Sequence, residues 1–255
     1  MYGKDKAMDK VNILGVNVDR VNIEEAADRI YGMLEERRPH SVYTPNSEII
    51  MLAYQNAEFR ELLNRADLLT ADGIGVVYAS RILHKPIDER AAGYDIACRV
   101  LEHIAHSGHR LFLFGGKPGV AEQAQEKLQR KYEFLNIVGT HNGYFSTEEE
   151  PAIVEEINRS GADLVFVCLG APAQEKWIDR NMPKLRVKVL MGIGGSLDVF
   201  AGNVERAPQR WCDLGLEWLY RLIKEPWRIG RMMALPKFAA TVFLKGKRYH
   251  DEDEK

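Results

Sequence analysis

Two stretches of this chain, LFLF at 111–114 and LVFVCL at 164–169, are apolar without interruption. A strand with one face in water alternates apolar and polar residues, so an unbroken apolar run needs cover on both faces. Further short segments rich in Val, Leu, Ile or Phe fall at 11–18, 41–44, 68–71, 137–140 and 187–191, and the two runs extend to 110–114 and 163–169. Helical patterns lie between them, at 23–36, 47–64, 94–106, 120–132 and 174–181. This alternation predicts an α/β fold, a Rossmann-like and mainly parallel sheet flanked by helices. At 255 residues the chain suits one large domain, or one domain with an appendage.

Parallel sheets of this kind bind ligands beyond the carboxyl ends of their strands. The residues that follow each predicted strand are therefore the informative ones. TPNSE follows 41–44, DGIG follows 68–71, GGKPG follows 110–114, GAPAQEKW follows 163–169, and GIGGSLD follows 187–191. Five strand ends thus deliver small or polar residues to one edge, the pattern of a substrate-binding rim.

Each motif has two readings. In LFLFGGKPGVAEQAQ, Gly115 and Gly116 let the backbone approach a phosphate, and the helix start behind them favours an anion; a tight strand-to-helix turn would read the same. The segment lacks the GKS/T ending of a Walker loop. In MGIGGSLD, Gly194 and Gly195 precede a helix that Ser196 would cap, with Asp198 in its first turn. Two such turns on one rim favour a nucleotide diphosphate. Asp72 of TADGIG can act as a general base toward an acceptor hydroxyl, or cap the following helix. Thr44 and Asn46 offer hydrogen bonds to a sugar or phosphate, and Asn46 or Ser47 could equally cap a helix. Gln174 would point to the rim, while Glu175 would complement a helix dipole. Arg90 of DERAAGYD is a candidate partner for a diphosphate, or a solvated surface charge.

Several chemistries are disfavoured. The formal net charge of −2 gives no global basic field of the kind that recruits nucleic acid. Cys98, Cys168 and Cys212 are far apart and have no metal-ligand spacing, as expected of reduced packing residues in a cytosolic protein. No HExxH or clustered Asp/His set occurs, and the one DXD lies in the tail at 251–253, so neither a metal site nor a cofactor is expected. There is no GxGxxG followed by an acidic residue, as a dehydrogenase would need, and no GxSxG nucleophile elbow. The opening MYGKDKAMDK does not read as a signal peptide, and no run of 18 apolar residues spans a bilayer.

The charge is uneven. Between Glu205 and His250 there are ten basic and four acidic residues, which leaves −8 on the remainder, and three of the four tryptophans are here too. The sequence therefore divides into an α/β body at 1–203 and a basic, Trp-rich helical appendage at 204–255. Laid on one continuous helical wheel, WCDLGLEWLYRLIKEPW places Asp213, Glu217, Arg221 and Lys224 on a narrow strip and apolar residues around most of the rest. Such an arc needs a second covering surface: a bilayer interface, a second subunit or more of its own chain. Basic charge together with tryptophan favours a membrane surface. Pro226 should end or kink the helix.

Taken together, TPNSEIIMLA, LLTADGIGVVYASRI, ERAAGYD, LFLFGGKPGVAE, GTHNGYF, DLVFVCLGAPAQEKWI, MGIGGSLDVFAGNVERAP and LGLEWLYRLIKEPWRIGRM resemble, in unbroken order, the WecG/TagA/CpsF family of bacterial glycosyltransferases. The wall teichoic acid branch is the most similar. The resemblance implies metal-independent, inverting transfer of N-acetylmannosamine (ManNAc) from UDP-ManNAc to the 4-hydroxyl of GlcNAc on undecaprenyl diphosphate. It implies a peripheral protein on the inner face of the cell membrane. It casts Asp72 as the base, Thr44 and Gln174 near the donor, and Arg90, Arg221, Arg228 and Arg231 on the diphosphate. The same transfer with UDP-ManNAcA, or with another UDP-sugar, is the alternative inside the family. A non-catalytic sugar-nucleotide-binding protein is the alternative outside it. A homo-oligomer is compatible with the wide apolar arc.

Overall fold

The computed structural model describes residues 9–224, 226 and 234–250. Its centre is a six-stranded sheet built from β3 (His40–Tyr43), β4 (Leu68–Leu69), β5 (Arg110–Gly115), β6 (Asn136–His141), β7 (Leu164–Cys168) and β8 (Val189–Gly192). The spatial order is β4-β3-β8-β7-β5-β6, and every pairing is parallel. The α/β expectation therefore holds, and all the strand-end motifs share one edge.

The two apolar runs are buried on both faces, as their composition required. Phe112, Phe114, Val165, Val167 and Leu190 pack into one core layer, and Leu111, Leu113, Phe166, Val189 and Met191 into the other. The second layer is closed by α1 (Ile23–Glu35), α5 (Gly93–Ser107), α6 (Val120–Lys131) and α9 (Ser196–Phe200). The first is closed by α2 (Ser47–Gln55), α3 (Ala57–Asn64), α4 (Ile74–Ile82), α7 (Glu150–Ser160) and α8 (Ala173–Asn181). Capping sets several of these boundaries. Asn22 and Glu25 form a reciprocal capping box on α1, with bonds of 2.8 and 3.0 Å.

Three local expectations give way to turn chemistry. The segment 11–18 is not one strand but an antiparallel hairpin of β1 (Lys10–Ile13) and β2 (Val16–Asp19). Leu14 and Gly15 both have positive φ, as a two-residue turn between twisted strands requires. Leu14 is itself buried, so its apolar character hid the turn. The pattern at 47–64 breaks at Asn56, which ends α2 and caps α3 by accepting from the Phe59 amide at 3.0 Å. The wheel drawn over 211–227 is not continuous: α10 (Gln209–Asp213) and α11 (Glu217–Lys224) are separated at Gly215. Gly215 has φ +70°, and a Cβ there would lie 2.9 Å from Ile74 Cγ1. Lys224, the last residue given for α11, lies two positions before Pro226.

The last helix, α12 (Ala234–His250), packs on α2, α4 and β1. Its Phe238 and Val242 belong to the core layer on that side of the sheet. Lys245 reaches the Tyr54 hydroxyl at 3.2 Å. Cys98, Cys168 and Cys212 are unpaired. No helix among the described residues is long and apolar enough to cross a membrane.

Candidate active site

The rim is assembled from short-range ties between the strand ends. The Asp72 amide donates to the Pro45 carbonyl at 3.1 Å, which fixes the loop after β4 against the loop after β3. The Asp72 carboxylate accepts from the Gly93 amide at 3.3 Å, at the first residue of α5. A helix start favours a charged carboxylate there. The N-cap residue of α4 is Gly73, which follows Asp72 directly. The Asp72 carboxylate bonds to the start of α5, across the rim.

Thr44 is buried behind this carboxylate. Its hydroxyl donates to the Gly192 carbonyl at 3.3 Å, and a Cβ at Gly93 would lie 2.8 Å from its Oγ1. Thr44 therefore bridges β3, β8 and the start of α5. Asn46 caps α2 by accepting from the Ile49 amide at 3.0 Å, and its Cβ is 3.8 Å from where a Cβ on Gly73 would stand. The capping reading of Asn46 is realised, within reach of the Asp72 loop.

Gln174 is only 3% exposed and does not project from the rim. Its Oε1 accepts from the Gly194 amide at 3.0 Å, and its Nε2 donates to Glu175 Oε1 at 2.9 Å. Glu175 lies in the first turn of α8, where a carboxylate complements the helix dipole, but it is only 1% exposed. Burial pushes its carboxyl above the usual range, and the bond from Gln174 pulls in the other direction. Ser196 is the first residue of α9 rather than its cap; the N-cap is Gly195, and the Ser196 hydroxyl donates to the Ile193 carbonyl at 2.7 Å. The Gly194 amide is engaged by Gln174 and is not presented to a ligand. Space is open beside Gly170, Gly194 and Gly195, where an added Cβ would meet nothing within 4 Å among the described residues.

On the far side of β7, Gly115 has φ +129°, and a Cβ there would sit 2.3 Å from the Cys168 carbonyl oxygen. Only glycine permits that approach, and the Gly116 amide then bonds to the same carbonyl at 3.1 Å. The ends of β3, β8, β7 and β5 are successive in the sheet. They span three inter-strand spacings, about 14 Å.

Arg90 is neither lone nor solvated. It is 17% exposed, pairs with Glu217 of α11, and reaches Asp95 at 3.1 Å. Asp95 in turn pairs with Arg206, whose guanidinium lies 4.7 Å over the Tyr94 ring. Burial works against the charge of Arg90, but the bond and charge of Glu217, with Asp72 and Asp95, outweigh it and raise its pKa. Beside this cluster lies a cleft of about 450 Å³ lined by Ile74, Arg90, Asp95, Arg206 and Cys212. A second cleft of about 400 Å³, between Arg20, Asn22, Arg29 and Asp88, contains none of the strand-end residues.

The structure thus gathers Asp72, Thr44, Asn46, Gln174 and Arg90 around the ends of β3 and β8, with Gly115 and Gly116 two strands away. Arg221 lies in α11 by its backbone, and its side chain is outside the described residues. Arg228 and Arg231 are outside them entirely. Sequence reasoning missed Asp95, Arg206, Glu217 and the buried state of Glu175. Asp95 closes the ERAAGYD motif and was legible there as a neighbour of Arg90. Its partner Arg206 is 111 residues away, and Glu217 is 127 residues from Arg90.

Residues 11–252 match the sequence profile of the glycosyl transferase WecG/TagA/CpsF family. Among curated proteins, the N-acetylglucosaminyldiphosphoundecaprenol N-acetyl-beta-D-mannosaminyltransferase of Bacillus subtilis (strain 168) is 35% identical over 236 residues, 92% of this chain and 91% of its own. The protein of that name from Staphylococcus aureus (strain MRSA252) is 37% identical over 242 residues, 94% of each. That of Bacillus spizizenii is 37% identical over 215 residues, 84% of this chain and 82% of its own.

Proposed function

From the premise that the chain belongs to the WecG/TagA/CpsF family of glycosyl transferases, we propose that it moves ManNAc from UDP-ManNAc to the 4-hydroxyl of GlcNAc-diphospho-undecaprenol, the linkage-unit step of wall teichoic acid synthesis. The observation that carries this reading is the placement of the Asp72 carboxylate at the open rim, among Thr44, Asn46 and Arg90. In the step, Asp72 takes the proton from the acceptor 4-hydroxyl. The freed oxygen attacks C1 of ManNAc from the face opposite the nucleotide, the bond from C1 to the β-phosphate oxygen breaks, and UDP leaves with the electron pair. The anomeric centre inverts. No metal enters the scheme. Positive charge on the departing diphosphate comes from Arg90 and from the basic segment holding Arg221, Arg228 and Arg231. Gly195 lines the diphosphate with backbone, while Gly115 and Gly116, whose turn is closed on the Cys168 carbonyl, shape the rim beside it.

The test is product analysis with purified protein, a short-chain GlcNAc-diphosphate lipid, and UDP-ManNAc, UDP-GlcNAc or UDP-ManNAcA. A disaccharide lipid and stoichiometric UDP are expected with UDP-ManNAc. No product with that donor, or a faster reaction with UDP-ManNAcA, overturns the assignment.

Residues 204–255 are proposed to rest on the inner membrane surface, where the lipid acceptor lies. Leu214, Ile223, Phe243 and Leu244 are large, apolar and more than 60% exposed, with Lys245 beside them. Such side chains with nearby basic charge suit an anionic bilayer interface. Phe243→Asp with Leu244→Asp is expected to abolish co-sedimentation with anionic vesicles; retained sedimentation would sink this docking face. A second copy of the chain is the other cover for these residues, and a concentration-dependent mass would reveal it.

Arg90 can grip a diphosphate only by exchanging Glu217 for it. Glu217→Gln is therefore expected to tighten UDP binding about three- to tenfold by calorimetry, because the competent state no longer competes with an internal anion. An unchanged or weaker affinity removes the exchange.

A further inference from the structure

We propose that Glu175 is a positioning residue for the donor: its carboxyl sets the orientation of the Gln174 amide, and through Gln174 holds the turn at 192–195 in the form that receives the diphosphate. This deepens the proposed function and rests on it for the identity of the ligand.

The argument starts from the Gln174 amide, whose two ends have nearly the same shape and opposite hydrogen-bonding character. Two neighbours decide which end goes where. Glu175 Oε1 stands 2.9 Å from Nε2, and the Gly194 amide nitrogen stands 3.0 Å from Oε1. A carboxyl oxygen at the first position leaves Oε1 as the end facing Gly194. Were the amide reversed, its NH₂ would face the Gly194 N–H, donor against donor, in a buried place. Gly192 closes the third side, since a Cβ there would lie 3.0 Å from Gln174 Nε2. The chain Glu175–Gln174–Gly194 therefore has a single arrangement, and it pins the residue at φ +56° that opens the space beside Gly194 and Gly195.

The carboxyl is itself anchored. Its residue sits in the first turn of α8, where the Tyr43 hydroxyl donates to the Glu175 carbonyl at 3.5 Å. Tyr43 precedes Thr44, so one contact ties the brace to the end of β3, whose Pro45 carbonyl holds the Asp72 loop. This arrangement is costly for folding. Among the described residues Glu175 Oε2 has no hydrogen-bond partner, and the side chain is buried, a state that an apolar residue of similar size would avoid. A group that makes the fold less stable while orienting a rim amide points to the site rather than to the core.

Three readouts test this on the full chain: hydrogen exchange of the amides at 193–196 without ligand, UDP affinity by calorimetry, and thermal midpoint. Glu175→Gln keeps an oxygen for Gln174 Nε2 and is expected to bind UDP within about threefold of wild type. Glu175→Leu is expected to lose protection at Gly194 and to weaken UDP about tenfold, with an unchanged or higher midpoint. A merely structural role would lower midpoint and affinity together. Gln174→Met, with Glu175 intact, should reproduce the affinity loss, and adding Glu175→Leu to it should cost nothing more. The proposal is overturned if Glu175→Leu keeps Gly194 protection and wild-type affinity, or if Glu175→Gln loses as much as Glu175→Leu. Should Glu175→Leu not fold, Gln174→Met with unchanged UDP affinity overturns it alone. Wild-type protein that binds no UDP would end the functional reading instead, and Gly194 exchange would still decide the brace.

Discussion

Asp72→Asn is expected to lower the rate of sugar transfer by about 10²–10⁴-fold, the range that a positioned general base supplies. The substitution is nearly isosteric, and the asparagine carbonyl can still accept from the Gly93 amide that holds Asp72 at 3.3 Å. The loop geometry, the Asp72–Pro45 backbone bond and the donor pocket should therefore survive. What is lost is the capacity to take a proton. UDP affinity should stay within about twofold of wild type, so the damage falls on kcat rather than on donor binding. Parallel measurement of transfer and UDP affinity checks both halves. Unchanged turnover would strip Asp72 of its role. Equal losses in turnover and affinity would recast it as a binding residue.

Phe238→Ala is expected to destabilise the protein by about 3–5 kcal/mol, measured by denaturant unfolding. Phe238 is 2% exposed and lies in the core layer shared by α2, α4 and the hairpin. A loss this large is a substantial fraction of the total stability of a typical domain, about 5–15 kcal/mol. A loss below about 1 kcal/mol would show α12 to be only loosely seated. The expected result also governs how the basic C-terminal segment should be probed. Cutting the chain near residue 204 removes Phe238 and Val242 from the core along with the basic arginines. Point substitutions of Arg228 and Arg231 test the proposed leaving-group charge while keeping Phe238 and Val242 in the chain, and truncation does not.

The parallel sheet was legible because burial on both faces leaves an unbroken apolar run, and 111–114 and 164–169 are of that kind. The rim followed, because parallel strands put every carboxyl end on one edge. Turns were less legible. Leu14 looks like a strand residue because it is buried, although its φ of 53° belongs to a turn. Gly215 was visible, but the apolar residues around it carried the wheel across the break. Asn56 could be read inside a helix because α2 and α3 follow each other with no loop between them.

The site divides in the same way. Asp72, Thr44 and Gln174 stand at strand ends, where topology alone marks a residue. The burial of Thr44 and Gln174 did not follow from position. Gln174 and Glu175 look like ordinary polar residues opening a surface helix, and only the packing of α8 against β3 and β8 puts them inside. The pairing of Arg90 with Glu217 depends on how α11 returns to the start of α5, a tertiary contact with no local signature.

The seat of α12 has a consequence for biosynthesis. Residues 234–250 leave the ribosome after every other described element, and they cover surface on α2, α4 and β1, the last of these the first described element. During translation that surface stays unroofed, with the places of Phe238 and Val242 vacant. Sheet and helices can assemble as they emerge, but the layer under α12 closes only when the final helix arrives. A chain stalled before that point would carry a greasy groove for chaperones and proteases to read. Emergence of this helix, rather than formation of the sheet, is then the event that makes this protein durable.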